Sequence, residues 1–433
     1  MTNVKCLRLS GAAALFGLGI AFMQSAPAHA EQPLATAITQ GKAIIDVRTR
    51  FESVNDENCA ACAGRHAEGV TVRARLGYET GYWNSLALAF DFDKVWALGG
   101  EHYNSTRNGK TLYPVIADPD VMTLNRLQIT YATNFNTKFI IGRQRLLFGN
   151  QRFIGNSGWR DHEQTFDAVS VVNTSIKDLT ATYVYVDRVN RIYGPDAPVP
   201  ATGQASYFDS KSHLVNAVYV GVPTLRLEAY AYLFDFKSPG SQPTSTPNAK
   251  RLSTSTFGLR AEEKLKLSDK VTAILNGEYA HQSDHAGNPL QIDLNYWLVE
   301  GGGAFKGLTA TAAYEVLEGN GTVGFSTPLA TLHAYNGWAD LFLTTPADGL
   351  TDLYGKASYV LNNPWGMKSL TATAFYHVFE TERTSIKLGK EFDASLELAV
   401  DKNASFLLKY ANFNGVGPFK DKTIFWVQSI WKL

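Results

Sequence analysis

Residues 44–55 read Ile44-Ile45-Asp46-Val47-Arg48-Thr49-Arg50-Phe51-Glu52-Ser53-Val54-Asn55. Taken two at a time, Asp46, Arg48, Arg50 and Glu52 fall on one face, with Ile45, Val47 and Phe51 on the other. Residues 70–81 repeat the arrangement: Thr71, Arg73, Arg75, Gly77 and Glu79 oppose Val70, Val72, Ala74, Leu76 and Tyr78. A period of two is that of a β-strand, whose successive side chains point to opposite faces. The two stretches are expected to form a hairpin across the loop that holds Cys59 and Cys62.

The same unit recurs to the C-terminus. Alternation and turn residues place eighteen strands, at 44–55, 70–81, 86–97, 122–133, 138–150, 165–176, 180–192, 211–222, 225–237, 253–266, 271–283, 291–305, 309–319, 350–361, 370–382, 391–402, 405–414 and 423–433. Later strands keep the two-faced pattern. Phe257, Leu259 and Ala261 oppose Arg260, Glu262 and Lys264, and Phe425, Val427, Trp431 and Leu433 share a face at the end. The connections alternate in length: 83–85, 134–137, 177–179, 267–270 and 401–404 are short, while those between run from about six to thirty residues. Short turns on one side and long loops on the other are what outer-membrane barrels show, and an even strand count returns both ends to one side. A soluble sandwich would supply many strands, but not this asymmetry.

The N-terminus gives the address. Residues 1–30 carry Lys5 and Arg8, an apolar run over 12–22, and Ala28-His29-Ala30 before Glu31, the layout of a secretory signal. Residues 31–433 are then expected to form one all-β domain, a transmembrane antiparallel barrel in the outer membrane of a Gram-negative bacterium. No later stretch reaches the roughly 18 apolar residues of a spanning helix. A mean hydropathy of −0.14 is too polar for a helical membrane protein but suits a wall that hides its apolar half by alternation. Without Lys5 and Arg8 the chain has 38 basic and 40 acidic residues, which argues against nucleic-acid binding.

If the charged faces line a lumen, its basic residues are Arg48, Arg50, Arg73, Arg75, Arg126, Arg143, Arg145 and Arg260. The matching acids are Asp46, Glu52, Glu79, Asp91, Asp93 and Asp167. Arginine is always charged and presents a planar fork to carboxylates, so rings of it in a pore favour anions. The competing reading is that these charges pair with one another and stiffen the wall. Phe153, Trp159, Tyr335 and Trp338, in long loops, could stack on sugar rings as a gate or pack a loop against the wall. Cys59 and Cys62 read as a small local disulfide in an oxidising compartment. His66 lies near them, but no second ligand pair follows, so neither metal nor cofactor is expected.

Two stretches resemble the alginate export family of outer-membrane porins. One runs through Gly142-Arg143-Gln144-Arg145, Gly149-Asn150-Gln151-Arg152-Phe153-Ile154-Gly155-Asn156 and Thr165-Phe166-Asp167. The other is Thr327-Pro328-Leu329-Ala330-Thr331-Leu332-His333-Ala334-Tyr335-Asn336-Gly337-Trp338-Ala339-Asp340. The resemblance implies an eighteen-stranded monomeric barrel with an arginine-lined constriction that passes an anionic uronate polysaccharide. Arg143 and Asp167 lie inside the matching motif; alternation alone places the other charges. The family's exporter also carries a long periplasmic turn acting as a lid, where this chain has only the short 401–404.

The leading expectation is a passive channel with an anion-favouring pore, exporting or passing an acidic polysaccharide or its oligomers. Its partners would be outer-membrane lipid, the anionic sugar or small-solute cargo, and periplasmic secretion components. A general or substrate-specific uptake porin is the alternative, and a structural or binding barrel comes third. An enzyme is not expected, since no Gly-x-Ser-x-Gly element is present. A plugged, energy-driven transporter would need an N-terminal domain far longer than residues 31–43.

Overall fold

A computed structural model describes residues 33–195, 205–237 and 249–433. The signal expected at 1–30 and nearly all of the Pro/Ser-rich loop at 238–249 lie outside the described residues. After one short helix, α1 (Leu34–Thr39), come β1 (Lys42–Asp56), β2 (Ala67–Glu79), β3 (Leu86–His102), β4 (Met122–Ala132), β5 (Thr137–Gln144) and β6 (Thr165–Asn173). Then follow β7 (Leu179–Asn190), β8 (Tyr207–Val222), β9 (Leu225–Leu233), β10 (Thr254–Lys266), β11 (Val271–Asp284) and β12 (Asp293–Phe305). The set closes with β13 (Leu308–Leu317), β14 (Leu350–Asn362), β15 (Ser369–Glu380), β16 (Lys387–Ala399), β17 (Ala404–Gly415) and β18 (Lys422–Lys432).

Each strand pairs antiparallel with its sequence neighbours, and β18 returns to β1 in register, with Phe51 opposite Val427 and Arg50 opposite Gln428. The sheet is therefore a closed ring of eighteen, which removes every edge with unpaired backbone groups. The short connections have two to six residues and share one end, which is the periplasmic end; those at the other end have six to thirty-two. The turn at 400–403, between β16 and β17, is one of the short ones and holds no lid.

The alternation works as the composition requires. Outward positions carry Leu76, Phe92, Trp96, Ile129, Tyr183, Leu259, Trp297, Leu396 and Trp431, all exposed. Inward positions carry buried charge: in β1 the buried residues are Arg48, Arg50, Glu52 and Val54. Apolar groups face lipid while polar groups are satisfied inside, the inverse of a soluble sheet.

Several strands depart from their expected bounds: β3 runs on to His102 rather than 97, β9 stops at Leu233 rather than 237, and β5 departs furthest. β5 ends at Gln144 rather than 150, and residues 145–164 turn into the lumen. Gly142 prepares the exit. Its φ of +118° admits no ordinary side chain, a Cβ there would sit 2.3 Å from the Leu127 carbonyl oxygen, and after it Arg143 faces inward.

Candidate functional site

Register alone brings several of the charges together. Arg75 lies opposite Asp93, Arg126 opposite Asp91, Arg143 opposite Asp167 and Arg260 opposite Glu278. Opposed side chains on one face of a sheet are neighbours, and each pair closes. Arg75 donates from Nε and Nη2 to the two Asp93 oxygens at 2.6 and 2.8 Å, and Arg143 grips Asp167 the same way at 2.7 and 2.9 Å. Arg126 reaches Asp91 at 2.7 Å and Glu79 at 2.6 Å. Arg260 reaches Glu278 at 2.6 Å and Glu262 at 2.8 Å. Arg73 pairs with Asp46 at 2.5 Å.

The remaining partners come from loops. Residues 145–164, between β5 and β6, supply Asp161 to Arg48 at 2.8 Å and Glu163 to both Arg75, at 2.7 Å, and Arg145. Arg160 of the same loop reaches Glu52 at 3.1 Å. The Trp159 ring lies under the Arg50 guanidinium at 4.1 Å, while Arg50 donates to Gln428 across the seam at 2.7 Å and forms an ion pair with Asp118 at 3.5 Å. All eight expected arginines thus have an acidic partner, and each of the six expected acids has an arginine partner. Asp161, Glu163, Asp118, Arg152, Arg160 and Glu315 belong to the same network and were not singled out from sequence, because nothing local marks a loop residue as reaching a distant strand.

Residues 318–349, between β13 and β14, form a second inward loop that straps to the first. Gly155 donates to the Leu329 carbonyl at 2.9 Å and Thr331 to the Gln151 carbonyl at 3.0 Å. Arg152 bonds Glu315 at 2.8 Å and Asn336 at 3.1 Å. Trp338 and Ala339 donate their backbone N–H groups to Asp393 and Glu391 of β16 at 3.1 and 2.6 Å. Gly337 allows this approach: its φ is +84°, and a Cβ would lie 2.3 Å from the Glu391 carboxylate. The two family-like stretches therefore meet in one internal plug.

The aromatic loop residues pack this plug. Phe153 sits among Tyr230, Tyr232, Tyr296 and Phe325 at 5.1–6.2 Å. Trp159 stacks on His333 at 4.6 Å, and Trp338 meets Phe375 edge-on at 5.3 Å. Tyr335 donates to the Asn150 carbonyl and lies over Arg152. Lys409 of β17 is the meeting point: its ammonium donates to His333 Nε2 at 2.6 Å and lies 4.0 and 3.8 Å from the Trp159 and Trp338 rings.

Burial divides the arginines. The side chains of Arg48, Arg50, Arg73, Arg75 and Arg260 are at most 8% exposed. Arg126, Arg143 and Arg145 keep 12%, 23% and 22% of their side chains open, so among these eight it is β4 and the exit of β5 that present accessible guanidiniums. Electrostatics fix the loops in place. Burial would raise the Asp161 and Glu163 carboxyls, but Arg48 and Arg50 beside the one, and Arg75 and Arg145 beside the other, hold both well below the usual range. Burial pushes His333 down to about 3, against the pull of Asp340 at 2.8 Å, so its ring is neutral and accepts from Lys409. Cys59 and Cys62, in the external loop between β1 and β2, form a disulfide with their Cα atoms 5.3 Å apart. Among the described residues no group of three or more His, Cys, Asp or Glu is placed to hold a metal.

Residues 41–183 match the family model described as alginate export. The matched span runs from β1 into β7 and takes in seven of the eight arginines and the first inward loop; the 327–340 stretch falls outside it. The chain folds as a closed β-barrel of the kind seen in outer-membrane porins of known structure. Solved structures of similar shape include Acinetobacter baumannii OccAB2, with TM-score 0.69 and 14% identity over 92% of this chain and 99% of that one. Pseudomonas aeruginosa OccK9 (OpdG) gives 0.67 and 13% over 92% and 100%, and P. aeruginosa OpdQ 0.66 and 15% over 92% and 99%. At such identities these likenesses show the fold alone. No curated protein matches the chain in sequence.

Proposed function

We propose that the barrel is a passive channel whose lumen favours anions and passes acidic sugars or their short oligomers. The observation that carries this reading is the placing of the three open arginines, Arg126, Arg143 and Arg145, beside a lumen that two strapped loops narrow. A planar, permanently charged fork that stays accessible can be shared between its wall carboxylate and a passing one. The narrowing favours small solutes over a whole polymer. Export of an acidic polysaccharide is the second reading, favoured by the family match over the arginine-bearing strands; it requires the plug to leave the lumen. No catalytic role is proposed. Since a closed ring buries its own backbone groups, a single chain suffices as the working unit.

Planar-bilayer recording of the purified protein tests the proposal. A salt gradient should give a reversal potential on the anion side, shifting toward cations when Arg143 and Arg145 are both replaced by Ala, because Asp167 and Glu163 then face the lumen less compensated. A cation-favouring wild type would overturn it.

A further inference from the structure

The arginines of the lumen are matched by acids, but a lysine on the opposite wall is not. Lys356 lies on the inward face of β14, opposite Thr311 of β13 and Phe375 of β15. Its side chain is partly open, and no ion pair within 4 Å reaches its ammonium among the described residues. Glu300 is the acid that acts on it from further away, and Glu300 is already held by Asn276 at 2.6 Å and Thr311 at 3.4 Å.

The surroundings are those of a recognition site. The Lys356 ammonium stands 5.2 Å from the centre of the Phe375 ring, and the Tyr354 ring lies 6.3 Å from Phe375. Ser358 and Thr373 share a hydroxyl–hydroxyl hydrogen bond of 3.0 Å two positions along the same inward face. Trp338, from the middle of the second loop, meets Phe375 edge-on at 5.3 Å, so this surface adjoins the plug. In a ring of eighteen strands β14 stands nine from β5, on the far side of the lumen. Lys356 and Arg143 each lie six residues from the periplasmic end of their strands, and so at the same height.

A paired guanidinium presents mostly a dipole to a passing solute, whereas an unpaired ammonium presents its full charge across a wall of low dielectric. A partly desolvated cation without a counter-ion also gains most from an arriving anion. We infer that Lys356 is the anchoring residue of a solute subsite for a hydroxylated carboxylate of the sugar-acid class. Its ammonium donates to the carboxylate, Phe375 and Tyr354 receive the apolar face of the sugar ring, and Ser358, Thr373 and Glu300 exchange hydrogen bonds with the hydroxyls. The inference rests on the channel reading above and names the contact that reading lacks.

The test is glucuronate block of the ion current through single channels, with acetate and glucose as comparisons. Wild type should show saturable block by glucuronate and much weaker block by either comparison. Lys356→Met should weaken glucuronate block about tenfold, the size of one lost charge-assisted hydrogen bond, and Lys356→Arg should restore most of it. Unchanged block in Lys356→Met, with wild type still anion-favouring, would overturn the subsite and leave the channel reading standing. Equal block by acetate would overturn the sugar-acid assignment. A cation-favouring wild type would instead remove the channel reading itself.

Discussion

Glu163 is the residue on which the first inward loop turns. It holds Arg75 at 2.7 Å and Arg145 as well, while Arg75 keeps Asp93 in any case. Glu163→Gln should therefore cost about 1–3 kcal/mol rather than the full penalty of a stranded buried charge, and should raise single-channel conductance as the loop loosens. Acid acts through the buried histidines of the plug, His162 in the first loop and, in the second, His333. Its folded-state pKa of about 3 lies below the ordinary 6.5, so the neutral ring contributes stability that is fully present above pH 6.5. That contribution erodes as pH falls toward 3, by up to about 1.4 kcal/mol per pH unit. Asp161, Glu163 and Asp340 also have depressed values, and their contributions are lost only in more acidic solution, below the ordinary carboxylate range. Conductance should rise on acidification from pH 7 to 5 in wild type and rise less in His333→Gln. An equal rise in both would show that another group controls the plug.

At the scale of the element, the wall was legible because its signal is local. Period-two alternation needs only neighbouring residues, and the eighteen strands form in the order that alternation and turns give, as with β14 at Leu350–Asn362 against 350–361. The cross-strand pairs follow from that register: Arg143 with Asp167 and Arg75 with Asp93 could be read by laying one strand against the next. β5 shows where this stops. Leu146 and Phe148 look like the next apolar positions of a wall, yet Leu146 is buried and Phe148 stacks on Tyr232 inside the lumen at 6.2 Å. An apolar side chain reads the same whether it faces lipid or a plug, so the exit at Gln144, and with it the loop partners Asp161 and Glu163, was hidden. Gly142→Ala bears on the same element. The positive φ and the Leu127 carbonyl together should cost about 1–3 kcal/mol, measured as a lower unfolding midpoint in urea, with β4 and β5 losing amide protection first.

At the scale of the molecule, the two loops are expected to respond as one body. Their joining bonds, Gly155 to Leu329 and Thr331 to Gln151, tie segments some 175 residues apart. Replacing Gly337 by Ala, which clashes with Glu391, should therefore loosen residues 145–164 as well as 318–349, and hydrogen exchange should show protection falling in both. Loss confined to the second loop would show that the loops act separately.

The seam between β1 and β18 has a consequence for how the molecule comes into being. It joins the first strand to the last, Asp46 to Lys432 and Asp56 to Lys422. No contact in the wall has a longer sequence separation, so the loop-closure entropy of the whole ring falls on this step. Until β18 arrives, β1 is a bare edge, ready to pair with any other strand. Assembly must therefore hold a nearly finished sheet open and shielded until the final eleven-residue strand is delivered, and a chain cut short of Lys422 should populate aggregates rather than a slightly smaller barrel.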